Sequence, residues 1–313
     1  MIASPAPSWC RPSLSESSPL SRQLAPPALS DAPLAPGLYL VATPIGNLRD
    51  ITLRALDVLN ACDVLLAEDT RVSGKLLAAY AISKRLQRYD EHVADRETPK
   101  ILERLEAGER VALVSDAGTP MVSDPGLRLA QAAIAAGHPV FPIPGASAAL
   151  AALTLAGLPT DRFLFAGFPP TKTAARKTFF GELANVRATL IFYEGASRVA
   201  DSLADMAAVF GPRPGAVARE LTKLYETCIR GSLDELAADP RFEAPKGEIV
   251  ILVGPGSEKP VQAGDAEAAL REAMTRLPLG EAASQVAKAL GLPRRDLYRQ
   301  ALALKDAAQE AGG

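Results

Sequence analysis

The sequence predicts an α/β protein: a mostly parallel sheet covered by helices on both faces, then a second α/β lobe and a short helical appendage. Three observations predict it. Apolar runs of strand length recur along the chain, each followed by a polar loop and then by a segment with helical spacing. The runs are almost continuously apolar rather than alternating, as in strands buried on both faces. At 313 residues, 48% of them apolar, the chain also exceeds what one ordinary core requires.

Leu38-Tyr39-Leu40-Val41-Ala42 reads as the first buried strand, with the turn Thr43-Pro44-Ile45-Gly46-Asn47 directly after it. Asp50 or Thr52 is placed to cap a helix through Leu59. Val64–Ala67 is a strand that delivers Glu68-Asp69-Thr70-Arg71 at its end, and a helix through Leu76, Leu77 and Ala78 closes that unit. A helix over Pro99–Ala107, the strand Arg110–Val114, a helix over Gly126–Ala136, the strand Pro139–Ile143 and a helix over Gly145–Leu155 follow. Gly157 and Pro159 mark a boundary before the strand Phe163–Ala166. The second lobe reads as helix 173–185, strand 189–193, helix 199–210 and strands 215–218 and 248–254, with a mixed sheet. Pro255–Gly264 is a polar linker, and the pattern beyond it is helical, with Leu279–Leu290 and Arg294–Leu304 joined by Gly291-Leu292-Pro293. The expected division is a disordered extension over 1–36, α/β domains over 37–158 and 159–256, and a helical appendage over 265–308.

Composition removes several function classes. The formal net charge is −2, so no basic body coats nucleic acid, although a local basic face is still possible. Cys10, Cys62 and Cys228 are odd in number and far apart, and read as free thiols of a reducing, cytoplasmic compartment. Two histidines, His92 and His138, are a poor basis for a metal site, and none is expected. Residues 129–159 carry no charge apart from His138, yet Gly137, Pro139, Pro142, Pro144 and Gly145 cut them into core pieces rather than a membrane span.

The loop Ser115-Asp116-Ala117-Gly118-Thr119-Pro120-Met121-Val122-Ser123-Asp124-Pro125-Gly126 is the most informative segment. It follows an apolar strand, and its glycines and prolines fix a compact path whose backbone groups are suited to hold a polar amino-acid group or an adenosyl ring. Neither a phosphate-binding Gly-x-x-x-x-Gly-Lys loop nor a dinucleotide Gly-x-Gly-x-x-Gly opens any helix, so the ligand is less anionic than a triphosphate. Ligands of parallel sheets lie at the carboxyl ends of strands, where these loops are.

That loop, together with Thr43 to Thr52, Glu68 to Arg71, Pro144-Gly145-Ala146-Ser147-Ala148 and Arg219-Glu220-Leu221-Thr222-Lys223, resembles the ribosomal RNA small subunit methyltransferase I family of the tetrapyrrole methylase superfamily over about residues 37–305. The resemblance implies a two-domain tetrapyrrole-methylase-like fold. It implies methylation of the 2'-oxygen of a cytidine in the decoding centre of 16S ribosomal RNA from S-adenosylmethionine, by a homodimer acting on the small ribosomal subunit. It also implies cofactor contacts at Pro44, Ile45, Gly118, Thr119, Val122, Ser147 and Ala148, completed by Tyr193 and Ala218 from the second lobe. Methylation of a tetrapyrrole precursor and passive adenosyl-ligand binding are the competing readings. The chain departs from the family pattern at Tyr193-Glu194-Gly195-Ala196-Ser197-Arg198, where a histidine is common, at Val93 after His92, and at Pro169 before Pro170.

Methylation of a hydroxyl needs in-line positioning and a proton acceptor. Asp50, Glu68, Asp69 and Glu226 are the carboxylates near the resembling motifs, and Lys223 serves only if its pKa is lowered. Each has an alternative as an ion pair or helix cap. Arg71, Lys172, Arg176, Arg198 and Arg219 are candidates for RNA phosphate. Arg198 and Arg219 have internal partners available in Glu194 and Glu220. In the appendage, Ala282, Ala283, Val286, Ala287, Leu290, Leu297 and Leu302 read as an inner face and Arg294, Arg295, Arg299 and Lys305 as a basic outer set for RNA or ribosome contact. No DNA or membrane partner is expected.

Overall fold

The computed structural model describes residues 29–30, 33–243, 245–256, 263–290 and 293–310, with side chains left aside at 263–265, 288–290 and 306–310. The first sheet holds β1 (Gly37–Val41), β2 (Val64–Ala67), β3 (Leu86–Arg88), β4 (Arg110–Val114) and β5 (Val140–Ile143), all parallel, in the order β3-β2-β4-β1-β5. Side-chain alternation divides its core in two. Tyr39, Val41, Leu65, Ala67, Ala112 and Val114 pack with α1 (Leu53–Ala61) and α2 (Thr70–Ala79). Leu38, Val64, Leu66, Val111 and Leu113 pack on the other face with α3 (Ala94–Glu106) and α4 (Leu127–Ala135). The register makes the carboxyl ends flush, with Val41 opposite both Val114 and Ile143.

The second sheet is mixed, as the sequence predicts. It runs β6 (Phe163–Gly167), β7 (Thr189–Gly195), β10 (Glu248–Val253), β8 (Pro214–Arg219), β9 (Thr227–Ser232), with only β6 and β7 parallel. On one face α5 (Ala148–Ala156) buries Ala149, Ala152, Leu153 and Ala156 against Ile191, Ala216, Ala218, Val250 and Leu252. The expected division groups α5 with the first sheet, but its apolar face belongs to the core of the second. On the opposite face, α6 (Thr173–Leu183) and α7 (Val199–Phe210) close over Phe192, whose ring lies 5.5 Å from that of Phe180.

Several elements differ from the sequence reading. The strands β3 and β9 and the short α8 (Leu233–Ala237) were not predicted. β3 is three residues long and only partly buried, and β9 has two apolar residues, Cys228 and Ile229, and no fully buried position, so neither gives a continuous hydrophobic signal. α3 begins at Ala94 and carries Pro99 inside it, because Asp90 accepts from the backbone of His92 and Val93 and nucleates the helix earlier. Most of the 1–36 extension lies outside the described residues. Its end is not free chain: Leu29 and Leu34 pack on the first core, Ser30 N–H donates to Asp57 at 2.7 Å, and the Tyr39 hydroxyl donates to Ala35 O.

The chain divides into two compact units, one holding both sheets and one made of Asn185–Arg187 with Pro255–Gly313. The second unit contains α9 (Ala263–Met274), α10 (Leu279–Leu290) and α11 (Arg294–Glu310) around Leu270, Ala282, Ala283, Val286, Leu297 and Ala301. Leu302, read as inner, is 40% exposed, because the buried stripe of α11 follows Leu297, Ala301 and Leu304 at helical spacing. The side chain of Leu290 lies outside those described. Arg294, Arg295, Arg299 and Lys305 are all exposed, Arg299 beside Asp296 at 3.1 Å. Among the described residues, no helix is long and apolar enough to cross a membrane.

Phe180 is fully buried among Phe179, Phe192 and Phe210. Truncation leaves a cavity that rigid neighbouring rings cannot fill, so Phe180→Ala is expected to lose about 3–5 kcal/mol in chemical denaturation.

Candidate active site

The connections from β1 and β4 leave in opposite directions, α1 crossing one face of the first sheet and α4 the other, which opens a crevice between their carboxyl ends. Reciprocal backbone hydrogen bonds span it: Thr43 N–H donates to Gly118 O at 2.8 Å and Gly118 N–H to Thr43 O at 3.1 Å. The Thr43 hydroxyl donates to Ser115 O and the Ser115 hydroxyl to Gly118 O, while Thr119 Oγ1 donates to Ala146 O and ties in the turn before α5. Gly118 has φ +82°, and a Cβ there would stand 3.3 Å from Ile45 Cγ2. Met121 and Ser123 also have positive φ, at 70° and 65°. Backbone strain of that kind, held by its surroundings, is characteristic of ligand sites.

These loops and the second sheet enclose a cleft of about 260 Å³. Of the residues assigned to the cofactor, Ile45, Gly118, Thr119, Val122, Ser147, Ala148 and Tyr193 line it. Two do not. Ala218 is completely buried on β8 behind the wall, under α5, and Pro44, half-buried in the turn after β1, is not part of the lining. Tyr193 joins the two sheets at the site, since its hydroxyl accepts from Ala149 N–H at 3.2 Å and takes the capping place that the Ser147 side chain leaves open. Ala117, Ser123, Asp124, Phe168, Glu194 and the β10 segment from Glu248 to Val250 complete the lining and were not predicted. Asp124 lay within the loop already singled out, whereas β10 and Phe168 are brought in only by the second sheet.

The proposed proton acceptors are differently placed. Asp69 caps α2 through Arg71 N–H and holds the Arg71 guanidinium at 2.6 Å, which keeps its carboxyl down at about 2. Lys223 fails its stated condition: burial pulls its pKa down, but hydrogen bonds and charge from Glu220 and Glu248 outweigh burial and the net direction is upward. Glu226 is exposed and accepts from Thr222 N–H, and Asp50 is exposed in a single 3₁₀ turn. Glu68 is held up by burial and by the charges of Asp116 and Asp124, and lines a neighbouring polar groove instead of the cleft. Within the cleft wall, burial pushes the Asp124 carboxyl up to about 6; the Ser115 hydroxyl opposes the shift and Asp116 adds to it.

Nor are the basic candidates one surface. Arg176 is 2% exposed and paired with Asp205 at 2.6 Å, so it braces α6 against α7 and is out of reach of a polyanion. Arg198 pairs with Glu194 at 2.5 Å. Arg219 reaches Thr227 and Lys246 O, not Glu220. Lys172 is exposed at the start of α6, and the Arg71 side chain is 87% exposed even while paired. Among the described residues no group of three or more His, Cys, Asp and Glu is arranged to hold a metal ion.

The fold and the cleft define the class. Residues 37–237 match the model of the tetrapyrrole (corrin/porphyrin) methylases, and residues 260–305 match the RsmI C-terminal HTH domain. Uroporphyrin-III-C-methyltransferase from Thermus thermophilus superposes with a TM-score of 0.50 at 25% identity, covering 69% of this chain and 93% of that one. Diphthine synthase, at 17% identity and TM-score 0.53 over 69% of this chain and 89% of its own, shares the fold. Within that class the sequence relatives are specific. Proteins named ribosomal RNA small subunit methyltransferase I from Mesorhizobium japonicum and Erythrobacter litoralis are 50% and 54% identical over 90% and 88% of this chain, and 96% and 98% of theirs. The Escherichia coli O157:H7 protein of that name is 43% identical over 85% of this chain and 94% of its own. The chain belongs to the ribosomal RNA small subunit methyltransferase I family.

The Asp124 carboxyl makes stability depend on pH in a stated direction. Between the ordinary carboxylate value, about 4, and about 6, the unfolded chain has released this proton while the folded chain still holds it. This contribution to stability is therefore present below that window and lost as pH rises through it. In denaturant titrations, Asp124→Asn is expected to gain stability relative to the parent between pH 4.5 and pH 7.

Proposed function

We propose that this chain transfers a methyl group from S-adenosylmethionine to 16S ribosomal RNA, at the 2'-oxygen of a cytidine in the decoding centre. The observation that carries the reading is the convergence of separated motifs on one cleft. Ile45, the Gly118 to Val122 turn, Ser147-Ala148 and Tyr193 are far apart in sequence and line the same cavity, in a chain whose relatives are named for methylating small-subunit ribosomal RNA. The residues fit the donor. Ile45, Val122, Ala148 and Phe168 offer apolar surface for an adenosyl ring, and Gly118 brings backbone to the wall with no side chain in between. Among the described residues the lining holds no lysine or arginine, which suits a cationic rather than a phosphorylated ligand.

When bound, S-adenosylmethionine supplies an electrophilic methyl on a sulfonium. The chain's own residues contribute position and exclusion of water. Restricting the encounter of two reactants contributes up to roughly 7–11 kcal/mol in favourable cases. The hydrogen-bonded loops at Thr43, Gly118 and Thr119 provide a rigid frame for it. The exposed Arg71 and Lys172, and the basic outer set of the helical unit at Arg294, Arg295, Arg299 and Lys305, support salt-dependent RNA affinity. The small ribosomal subunit as substrate, a homodimer as working state and a cytoplasmic setting are carried by the family resemblance.

Incubation with methyl-labelled S-adenosylmethionine and unmodified small subunits is expected to label 16S RNA on a ribose. Label on a porphyrinoid precursor with none in RNA overturns the reading in favour of tetrapyrrole methylation, and donor binding with no label anywhere leaves only a binding module. Gly118→Val is expected to weaken donor affinity by about tenfold or more by calorimetry. A β-branched residue at this positive φ is strained by about 1–2 kcal/mol, and its side chain displaces Ile45, itself part of the wall.

A further inference from the structure

We propose that Asp124 is the proton acceptor for the ribose hydroxyl, standing in the partition between the donor cleft and a second groove through which the acceptor nucleotide enters. The inference rests on the methyl-transfer reading above.

The second groove, of about 640 Å³, is lined by Glu68, Thr70, Arg88, His92, Asp116 and Pro125, among others. Asp124 lines the donor cleft and the next residue, Pro125, lines the groove, so one short segment separates the two cavities. A hydroxyl approaching the donor from the groove meets that segment first. The segment is stiff: Ser123 sits at φ +65°, Pro125 limits the backbone of Asp124 to extended conformations, and Gly126 turns the chain into α4 at φ +124°.

The other carboxylates on the donor cleft are engaged. Glu194 is completely buried and takes the Ser202 hydroxyl at 2.5 Å, Gly195 N–H at 2.8 Å and the Arg198 guanidinium at 2.5 Å. Glu248 is 70% exposed and pairs with Lys223 at 3.2 Å. Asp116, on the groove side, accepts from Asp69 N–H at 3.0 Å. Among the described residues Asp124 has no arginine or lysine partner; Ser115 and Asp116 from its own loop act on it, and Glu68 beyond β2 and Tyr193 from β7 feel its charge. Its elevated carboxyl suits the role, because a general base works best when its pKa lies near the working pH.

In the transfer, the 2'-oxygen forms a bond to the methyl carbon while the carbon–sulfur bond breaks with its electron pair going to sulfur. The hydroxyl proton passes to the Asp124 carboxylate, which later returns it to water. Charge balances, since a sulfonium cation becomes a neutral thioether and one proton is released.

The test compares the full-length parent with Asp124→Asn and Asp124→Glu, using S-adenosylmethionine and unmodified small subunits. Calorimetric donor affinity, subunit binding and single-turnover methylation are followed from pH 5 to pH 9. The parent rate is expected to rise with a midpoint at about 6. Asp124→Asn should bind donor and subunit like the parent, lose that rise and transfer about 100-fold or more slowly. Asp124→Glu should recover a substantial part of the rate with a displaced midpoint. An Asp124→Asn rate and pH profile equal to the parent's overturn the proposal. So does a loss of rate that only follows a loss of donor affinity, or an Asp124→Glu variant no faster than Asp124→Asn. A parent that binds donor yet never labels 16S RNA is a separate result: it rejects the methyl-transfer reading itself and this inference with it.

Discussion

The pair of backbone hydrogen bonds between Thr43 and Gly118 is the constraint on which the site depends. It joins the loop after β1 to the loop after β4 across the crevice where the sheet's connections diverge, and it requires Gly118 to hold a positive φ that a side chain disfavours. With the bridge in place, Ser115 and Thr119 use their hydroxyls to fix the rest of the 115–126 loop against Gly118 and Ala146. The strained conformations at Met121 and Ser123 are then supported by neighbours on both sides instead of relaxing into solvent.

The second sheet contributes more than a lid. α5 follows β5 directly but buries its apolar stripe against the second sheet, so the turn that begins it, Ser147-Ala148, is anchored at both ends of the cleft. Tyr193 reinforces this by accepting from the first turn of that helix while its ring lies edge-on to Phe165 and Phe168. That hydrogen bond ties the β7 wall to the start of α5, the helix that follows β5 of the first sheet.

Electrostatically, the molecule separates charges that stabilise from charges left for chemistry. Asp69 with Arg71, Glu194 with Arg198 and Arg176 with Asp205 are mutually satisfied pairs. The last is deeply buried, and removing either partner would strand a charge in the core. Lys223 is likewise secured by Glu220 and Glu248 beside the strained turn at Glu220 and Thr222. Glu68 and Asp124 have no such cation among the described residues, and both are held above the ordinary carboxylate value by burial and by the charge of Asp116.

What the sequence by itself determined was local: the buried strands Val64–Ala67 and Arg110–Val114, the helix Val199–Phe210, and the loop Ser115 to Gly126, whose glycines and prolines carry their conformational meaning in their own chemistry. Those signals extend over a few residues, so periodicity and turn chemistry suffice to read them. Ile45, Gly118, Thr119, Val122, Ser147, Ala148 and Tyr193 entered through a family resemblance carried by motifs of that kind, and all seven line one cleft. Only the tertiary structure decided that Ala218 lies behind the cleft, that Arg176 is paired inside the core, that Phe168 and Glu248 to Val250 form a wall, and that Asp124 lines the cleft beside the groove that Pro125 lines. Each of these depends on burial or on a partner distant in the chain. Charge pairing and desolvation are set by what the folded chain brings near a residue, and no short window of sequence contains that information.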